Sequence, residues 1–402
     1  DQLVAGQIVN VLYPLIEQAR MLVQKYDVVV TNPPHMGASN MNPRLNDFIK
    51  NHYPDYKSDF FSAFIVRGSE MTKPEGYCGY FTPYVWMFIQ SYEKLREYLY
   101  TNATIETLIQ FEYSAFEEAT VPVCTFAFKN SYVSKKGCYL RLVDFRGGME
   151  VQRQKTLEAI ANHNCGFYYE QNTDNFSKIP GSPVAYWVSK NFIDAFASAA
   201  TIGEKAVARS GLSTGDNERF MRLWYEPSAN SIAFGLTSNE QYIATGRKFV
   251  PCNKGGLYRR WYGNNDYVID WTNPDAMHRP RTTYMNLYYR PAITWSAITS
   301  ALFNARVYGV GFLFDHDAAS LFIHNKEDEY FALGYLNTNV GQYILSMINP
   351  TINTGADVVS RMPFKIEYRN AVIPKVEQNV LLSKSDWDSF ETSWDFKRHP
   401  LV

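Results

Sequence analysis

Residues 28–35 read Val-Val-Val-Thr-Asn-Pro-Pro-His, an apolar run that ends in a rigid polar turn. The segment from Met21 to Val30 is rich in β-branched residues and uncharged at its end. It predicts a strand that is buried on both faces of a mostly parallel sheet. Ligands bind such sheets at the carboxyl ends of their strands. We therefore expect a binding site at the turn that follows Val30.

The turn itself, Asn32, Pro33, Pro34 and His35, has the chemistry to hold an amine beside a flat ring. Proline carries no N–H and fixes φ, so the carbonyls of the turn stay free to face a ligand. The Asn32 side-chain oxygen and the Pro33 carbonyl can each accept one proton of an exocyclic amine. The His35 ring offers a stacking surface, and stacking of a base on an aromatic ring is worth roughly 1–3 kcal/mol. A flipped adenine suits both features, although an ordinary turn after a strand is the alternative interpretation.

The Asn-Pro-Pro-His sequence resembles the catalytic motif of the DNA amino-methyltransferases, usually written N/D-P-P-Y/F/W, with His as a less usual last residue. Further segments resemble the adenine-N6 DNA methyltransferases of BREX phage-defence systems, the PglX type, and the related type IIG restriction-modification enzymes. Those segments are residues 37–45, 53–54, 57–64 and 81–87. The resemblance implies methylation of adenine N6 in double-stranded DNA, with S-adenosyl-L-methionine as the methyl donor. It makes residues 32–35 the catalytic residues.

The resemblance also implies a cofactor-binding helix. In this family the Ser-Asp-Phe-Phe helix lies next to the S-adenosylmethionine pocket, which would place Ser58, Asp59 and Phe60 near the cofactor. Ser58 or Asp59 also suits an ordinary N-cap of an apolar helix, and both interpretations can hold together. Phe116 resembles a residue of the last strands of the methyltransferase sheet, which close behind the flipped base. Core packing is favoured over base contact for Phe116, because large aromatic side chains are usually buried.

One part of the family pattern does not occur before Asn32. Members of the family bind the methionine moiety at a Gly-rich turn after the first strand and the ribose through an acidic residue after the second. The 31 residues that precede Asn32 contain no F-x-G-x-G-like pattern. We therefore expect an α/β fold with an incomplete Rossmann-like methyltransferase sheet, followed by a mixed α+β target-recognition domain, in a fragment of a longer enzyme.

A domain boundary is predicted between Asn162 and Lys205, where turn-rich sequence precedes an aromatic and alanine-rich helix at Tyr186–Ala200. The expected divisions are the C-terminal part of the catalytic domain over residues 1–165, a linker and helix over 166–200, the target-recognition domain over 201–370, and an acidic, aromatic C-terminal segment over 371–402.

Two clusters in the second half of the chain are candidates for DNA binding. Residues 208–220 combine glycines, hydroxyls and arginines that suit a phosphate, and they are similar to the G-L-x-T-G-x-N segment of PglX-type enzymes. A hairpin loop with a helix cap explains them equally well. Residues 254–264 alternate cations with aromatics, for which a strand with a solvated basic face is a close alternative. The predicted DNA-binding residues are Arg209, Ser213, Thr214, Asn217, Arg219, Arg259 and Arg260.

The composition of the chain restricts its function less than the motifs do. The 402 residues carry 39 basic and 40 acidic side chains, so any basic footprint for DNA must be local. Five cysteines without C-x-x-C spacing indicate packed, reduced thiols, and Asp315-His316-Asp317 is interpreted as a turn, so no metal site is predicted. No stretch approaches the ~20 apolar residues of a membrane span. We expect a cytoplasmic protein without a membrane partner.

Other functions remain open on the sequence. The chain can be a DNA-binding specificity module without catalytic activity of its own, which the missing glycine-rich turn supports. It can also be the modification part of a fused restriction enzyme, although no nuclease-like D-x-n-E-x-K pattern stands out. Other subunits of a defence system are further partners that the resemblance implies.

Overall fold

A computed structural model describes residue 6 and residues 8–113, 121–299, 301–349, 352–399 and 401–402. The chain forms two compact units, residues 1–197 and residues 198–402. Each unit contains its own sheet structure and its own hydrophobic core.

The first unit is built around a mixed sheet that has six strands among the described residues. These strands are β1 (Tyr26–Thr31), β2 (Thr72–Pro83), β3 (Thr104–Gln110), β4 (Val123–Lys129), β5 (Lys136–Arg141) and β6 (Tyr168–Asn172). Their spatial order is β1-β2-β4-β3-β5-β6. β1 runs parallel to β2 and β3 runs parallel to β5, whereas the other neighbouring pairs are antiparallel.

The structure corrects the expectations for β1. The strand begins at Tyr26 rather than Met21, because the residues before it form the helix Tyr13–Val23, with a proline in its first turn where proline is favourable. The sheet is mixed rather than mostly parallel. The prediction of burial on both faces was wrong, since Val28 is 57% exposed and Val30 is 74% exposed. The physical reason is position: β1 lies at an edge of the sheet, with β2 as its neighbour among the described residues.

Six helices accompany this sheet among the described residues of the first unit. Their bounds are Tyr13–Val23, Pro43–His52, Phe60–Met71, Glu93–Asn102, Gly148–Ala161 and Lys190–Ser198, and a π-helical turn, Ile8–Leu12, precedes the first. The helix Phe60–Met71 packs on β1 and β2. Gly68 permits this close approach, because a Cβ at that position would lie 1.8 Å from the Tyr80 hydroxyl. The same hydroxyl donates to the Ile65 carbonyl at 3.2 Å.

The segment expected to link two domains is partly built into the first sheet. Residues 168–172 form β6, which pairs antiparallel with β5. The helix predicted over Tyr186–Ala200 is shorter and spans Lys190–Ser198. Tyr186 is instead a fully buried core residue whose hydroxyl donates to Gln110 at 2.8 Å. Gln110 is the last residue of β3, so the contact holds Tyr186 against the sheet. Tertiary packing of Tyr186 therefore decides that the helix begins later.

The second unit contains two smaller sheets. One has the order β10-β13-β12-β15-β7 and the other β14-β9-β11-β8. Their strands are β7 (Ala206–Arg209), β8 (Met221–Leu223), β9 (Phe249–Asn253), β10 (Trp261–Tyr262), β11 (Tyr267–Asp270), β12 (Ala292–Trp295), β13 (Ala305–Tyr308), β14 (Leu313–Phe314) and β15 (Ser320–Ile323).

The helices of the second unit follow and flank these sheets. They are Ile202–Lys205, Asn217–Phe220, Asn239–Thr245, Glu329–Asn337, Asn339–Ile348, Ala356–Ser360 and Arg369–Trp387. The helix Arg369–Trp387, which holds much of the expected C-terminal segment, packs against Glu329–Asn337 and β10. None of the helices in the described ranges has the length and apolar character needed to cross a membrane.

Candidate functional site

The Asn-Pro-Pro-His turn lies at the carboxyl end of β1, as the sequence predicted. Thr31, the last residue of β1, pairs with Tyr80 on the parallel strand β2, so the turn follows beside the final residues of β2. A cavity of about 360 Å³ lies there, within the roughly 300–1,000 Å³ typical of ligand pockets. It is lined by Asn32, Pro33, Pro34, His35, Phe81, Thr82, Pro83, Val121 and Val123.

The polar and aromatic groups of the turn are accessible. Pro33 is buried, whereas Asn32, Pro34 and His35 are exposed, with 51% of the His35 side chain open to solvent. Within the part of the chain that the structure describes, no group hydrogen-bonds to the Asn32 side chain. The buried proline anchors the turn while an amide and an imidazole face outward. This arrangement can accept hydrogen bonds from a ligand amine next to a ring.

The His35 ring contacts Phe61 of the helix Phe60–Met71 and Asp59, the residue before that helix. Its Nε2 atom lies 3.1 Å from Oδ2 of Asp59. Its ring centroid is 6.1 Å from that of Phe61 at an interplanar angle of 64°, an edge-to-face contact. Phe61 in turn stacks on Tyr92, with ring centroids 5.5 Å apart. The imidazole is therefore supported by a packed aromatic pair and a carboxylate.

Asp59 is the N-cap of that helix, which confirms the capping interpretation. Its Oδ1 atom accepts from the amide of Phe61 at 3.3 Å and from the amide of Met36 at 2.9 Å. Asp59 is only 2% exposed. Burial raises the pKa of nearby Tyr92 above its usual range, and the Asp59 carboxylate contributes in the same direction. Through its hydrogen bonds with the amides of Met36 and Phe61, the Asp59 carboxylate joins the residue after the turn to the helix.

The other two predicted cofactor residues lie beside the same junction. The Ser58 hydroxyl donates to the Ser91 carbonyl at 3.1 Å. The Phe60 amide donates to the Met36 carbonyl at 3.0 Å, and the Phe60 ring makes an edge contact with Phe64 at 4.7 Å. Both side chains are half-buried. Their contact with a cofactor stays a prediction.

The opposite wall of the cavity comes from the end of β2 and the start of β4. Thr82 is buried, and its hydroxyl accepts from the Trp86 indole N–H at 3.2 Å. Cys124 lies 3.7 Å from the same hydroxyl, and burial raises the pKa of the Cys124 thiol to about 12. The segment 81–87, which the resemblance covers, supplies Phe81, Thr82 and Pro83 of this wall, and Val121 and Val123 complete it. The antiparallel pairing of β2 with β4 is what brings them together.

Phe116, for which the sequence favoured core packing over base contact, lies outside the described residues.

Four predicted DNA-binding residues lie in one segment of the second unit, a loop that leads into the short helix Asn217–Phe220. Ser213 exchanges backbone hydrogen bonds with Arg279, at 2.8 and 2.9 Å. The Thr214 hydroxyl donates to Asn217 at 2.6 Å, and Thr214 is buried. Arg219 is exposed, with its guanidinium 4.7 Å from the ring of Phe220. Arg219 is thus the predicted residue of this loop that presents a cation to solvent.

The structure joins this segment to residues 278–281, which are distant from it in the sequence. The His278 amide donates to the Thr214 carbonyl at 3.0 Å. Gly215 has a φ of +74°, and a Cβ there would lie 2.8 Å from Cβ of His278. Glycine is therefore required for the close approach of the two segments. Arg279 and Arg281, which are not among the DNA-binding residues predicted from the sequence, follow His278 closely, and both are exposed.

The remaining predicted DNA-binding residues have partners within the chain. Arg209 is exposed at the end of β7 and donates to the Ala208 carbonyl at 2.8 Å. Arg259 pairs with Asp386 at 3.1 Å, and its guanidinium lies 4.9 Å from the ring centre of Trp387. Arg260 lies over its neighbour Tyr258 at 5.6 Å. Of these three, Arg259 has a structural role in holding the C-terminal helix.

Metal-ligand chemistry is not assembled in the described part of the chain, where no group of three or more His, Cys, Asp or Glu side chains could hold a metal ion. Asp315 accepts from the amide of Asp317 at 2.9 Å in a turn. The five cysteines are free: Cys78, Cys124 and Cys252 are buried, and Cys138 and Cys165 are half-buried.

Comparisons with known proteins find that the chain is similar to DNA methyltransferases. Residues 10–116 match the family described as the Eco57I restriction-modification methylase. The chain is 36% identical to the adenine-specific methyltransferase PglX of Lacticaseibacillus casei (strain Zhang) over 96% of its length. It is 33% identical to the adenine-specific methyltransferase BrxX of Escherichia coli O9:H4 (strain HS) over 97%. The chain spans about a third of the length of these curated relatives, 33% and 32% respectively.

Solved structures agree in fold. The DrdV–DNA complex covers 92% of this chain and 45% of its own, with a TM-score of 0.54 and 11% identity. The type IIL restriction-modification enzyme MmeI, solved in complex with DNA, covers 92% of this chain and 50% of its own, with a TM-score of 0.52 and 10% identity. At such identities the match concerns fold alone. Over nearly its whole length the chain is similar to the adenine-specific methyltransferases PglX and BrxX, of whose length it spans about a third.

Proposed function

We propose that this chain supplies the adenine-binding turn and a DNA-binding unit for the methylation of adenine N6 in double-stranded DNA. The observation that carries this proposal is the pairing of an open Asn32 amide with an exposed His35 ring in one cavity at the end of β1. The similarity to the adenine-specific methyltransferases PglX and BrxX supports the same reaction.

The chemistry assigned to the turn is positional. The Asn32 side-chain oxygen and the Pro33 carbonyl each accept one proton of the adenine amine, which directs the nitrogen lone pair away from them. His35 stacks on the flipped base, and the supporting Phe61–Tyr92 pair holds the ring in place. Neither strong acid nor strong base is required, because fixing the reactants in an attack geometry can itself supply about 7–11 kcal/mol of the barrier.

S-adenosyl-L-methionine is the proposed methyl donor, and when bound it supplies an electrophilic methyl group. The residues beside the turn fit one side of such a molecule, since Phe60 offers a half-buried ring and Ser58 a hydroxyl that retains acceptor capacity. These two residues would hold the donor next to the turn. The helix cap at Asp59 keeps both of them at this junction.

For DNA, we propose that the second unit is a target-recognition domain that contacts the duplex through the joined segments 213–219 and 278–281. Exposed arginines on loop residues suit phosphate contacts, and the loop amides and hydroxyls suit positioning. Among the residues predicted from sequence, Arg219 is the proposed cation of these segments, and exposed Arg209 and half-buried Arg260 are proposed as further cations outside them. MmeI and DrdV, which share the fold, were both solved in complex with DNA.

The test is Asn32→Ala in the intact protein. The substitution removes the acceptor for the adenine amine and no phosphate contact, so we expect methylation to fall at least about a hundredfold while DNA affinity stays unchanged. N6-methyladenine is quantified by mass spectrometry in DNA from a host without other adenine methylases, and binding is measured on the same DNA. The matched control is Asn51→Ala, on the exposed side of the helix Pro43–His52.

Full methylation by Asn32→Ala would contradict the proposed mechanism. DNA binding by the wild-type protein without any methyl transfer or cofactor binding would instead favour the specificity-module alternative.

A further inference from the structure

We propose that Asp59 is a positioning residue that holds the His35 ring and the catalytic turn in place for the incoming base. The sequence resemblance implied a direct contact between Asp59 and the methyl donor. The contacts of its carboxylate favour action through His35 instead. This inference rests on the proposed function, because it is that function which gives His35 a base to stack on.

The first argument is that both oxygens of the carboxylate are already engaged. Oδ1 accepts from the amides of Met36 and Phe61, at 2.9 and 3.3 Å. Oδ2 lies 3.1 Å from Nε2 of His35. Only 3% of the Asp59 side chain is exposed, so a ligand has almost no surface to touch. A buried carboxylate is costly unless it is paired and hydrogen-bonded, and these three contacts fulfil that requirement.

The second argument concerns what the three contacts join. Met36 directly follows the turn, and its carbonyl accepts from the amide of Phe60 while its amide donates to Asp59. Gly37 forms an isolated antiparallel bridge with Asp59. The chain that leaves the turn is therefore tied to the start of the helix Phe60–Met71 through one buried side chain. Because that helix packs on β1 and β2, the position of the turn is fixed relative to the sheet.

The third argument concerns the ring itself. His35 is half open to solvent, so packing alone does not fix its rotation. The edge contact with Phe61 limits one direction, and the Asp59 carboxylate fixes the nitrogen edge of the imidazole. A phenyl ring at this position has no nitrogen for that contact. The orientation of the stacking surface thus depends on Asp59 because the residue at position 35 is a histidine.

The experiment compares Asp59→Asn with wild type in the intact protein. Asparagine keeps the volume and one acceptor oxygen for the two amides but removes the charge that faces His35. We expect kcat for methyl transfer to fall between about tenfold and a hundredfold, the scale of a displaced catalytic group. The dissociation constant for S-adenosylmethionine, measured by calorimetry, should change less than about twofold. The control is Asp55→Asn, an exposed carboxylate four residues earlier, which should change neither quantity.

A double-mutant cycle separates a positioning role from general destabilisation. His35→Phe alters an exposed side chain and should fold normally, and it keeps a stacking ring of a kind usual in the family motif while it loses the nitrogen that faces Asp59. Adding Asp59→Asn to His35→Phe should cost less than about twofold more, because the contact is already gone. Should Asp59→Asn fail to fold, Asp59→Ser, which keeps a helix-capping acceptor, replaces it in both backgrounds, and a loss in the His35→Phe background as large as in wild type overturns the inference.

Other outcomes also overturn it. A tenfold loss of S-adenosylmethionine affinity in Asp59→Asn with unchanged kcat would make Asp59 a cofactor ligand. Independent, multiplying losses in the double variant would show that Asp59 does not act through His35. A wild-type protein that binds DNA and cofactor but transfers no methyl group contradicts the proposed function, and the inference falls with it. An active wild type with a fully active Asp59→Asn contradicts the inference alone.

Discussion

The two units build their candidate sites in different ways. In the first unit, four consecutive residues, 32–35, supply the predicted base-binding groups, and a cap less than thirty residues away supports them. In the second unit, the candidate DNA surface combines residues 213–219 with residues 278–281, which meet through a few backbone hydrogen bonds. A site formed by adjacent residues can be recognised in the sequence as a motif. A site formed by distant segments depends on the fold of its unit.

The buried arginines show the same contrast in the cores. Arg96 is fully buried and donates to the carbonyls of Trp86, Ile89 and Gly181, at distances from 2.6 to 3.0 Å. Arg306 is also fully buried, but its bonds to Asn304, Lys254 and Gly255 are longer, 3.2–3.5 Å. Burial lowers the pKa of Arg306 to about 10. Arg96 of the first unit thus makes shorter hydrogen bonds to separate parts of its chain than Arg306 makes in the second unit.

The largest effect expected from this contrast is on stability. Arg96→Met leaves three carbonyls without their charged donor, and hydrogen bonds to charged groups are worth about 1.5–3 kcal/mol each. We expect the free energy of unfolding to fall by about 3–5 kcal/mol, measured by urea denaturation with tryptophan fluorescence. Arg306→Met, the matched substitution in the second unit, should cost less because it replaces weaker bonds and removes a desolvated charge. Equal losses would remove the proposed difference between the cores.

A smaller effect is expected on DNA binding, where the structure separates two arginines that the sequence treated alike. Arg219→Ala should weaken binding to a random-sequence duplex and lower the log–log salt slope by about 1, because it removes an exposed cation that we propose as a phosphate contact. Arg259→Ala should leave the slope unchanged and lower the unfolding free energy by about 1 kcal/mol, since it breaks contacts with Asp386 and Trp387. The measurement is fluorescence anisotropy at several salt concentrations.

An unchanged slope in Arg219→Ala, with a reduced slope in Arg259→Ala, would reverse this assignment. It would return Arg259 to the interface, where the sequence placed it.

The smallest predicted effect is a pH dependence in the second unit. Burial raises the pKa of Asp315, although the Asp317 amide and Lys254 oppose it. A carboxyl whose pKa is higher in the folded state stabilises the fold below its unfolded pKa, about 3.9, and this contribution is lost as pH rises through the folded pKa. Asp315→Asn does not titrate, so its stability relative to wild type should increase from pH 3 to 6.

The increase cannot exceed about 1.4 kcal/mol per pH unit for one proton. Thermal unfolding by calorimetry at several pH values measures it, with the surface substitution Asp275→Asn as the control. A constant difference between Asp315→Asn and wild type would contradict the prediction.

The sequence predicted much of the first site because the relevant physics is local. A strand that ends in Asn-Pro-Pro must turn, since proline cannot donate to the sheet ladder, and the turn was found at the carboxyl end of β1. The cap at Asp59 was likewise readable, because a short acceptor side chain before an apolar helix is a local signal. The burial of β1 could not be predicted from the sequence, since it depends on which strand or layer lies beside it.

By itself, the sequence determined the identity and order of the chemical groups: a turn with free acceptors, a stacking ring, a capped helix and scattered arginines. Tertiary structure decided which of them meet. The pairing of β2 with β4 formed the far wall of the cavity, and hydrogen bonds between Ser213 and Arg279 joined two loops. Arg259 was turned toward Asp386, a residue 127 positions away. Such contacts depend on distances in space rather than along the chain, so no local pattern of residues encodes them.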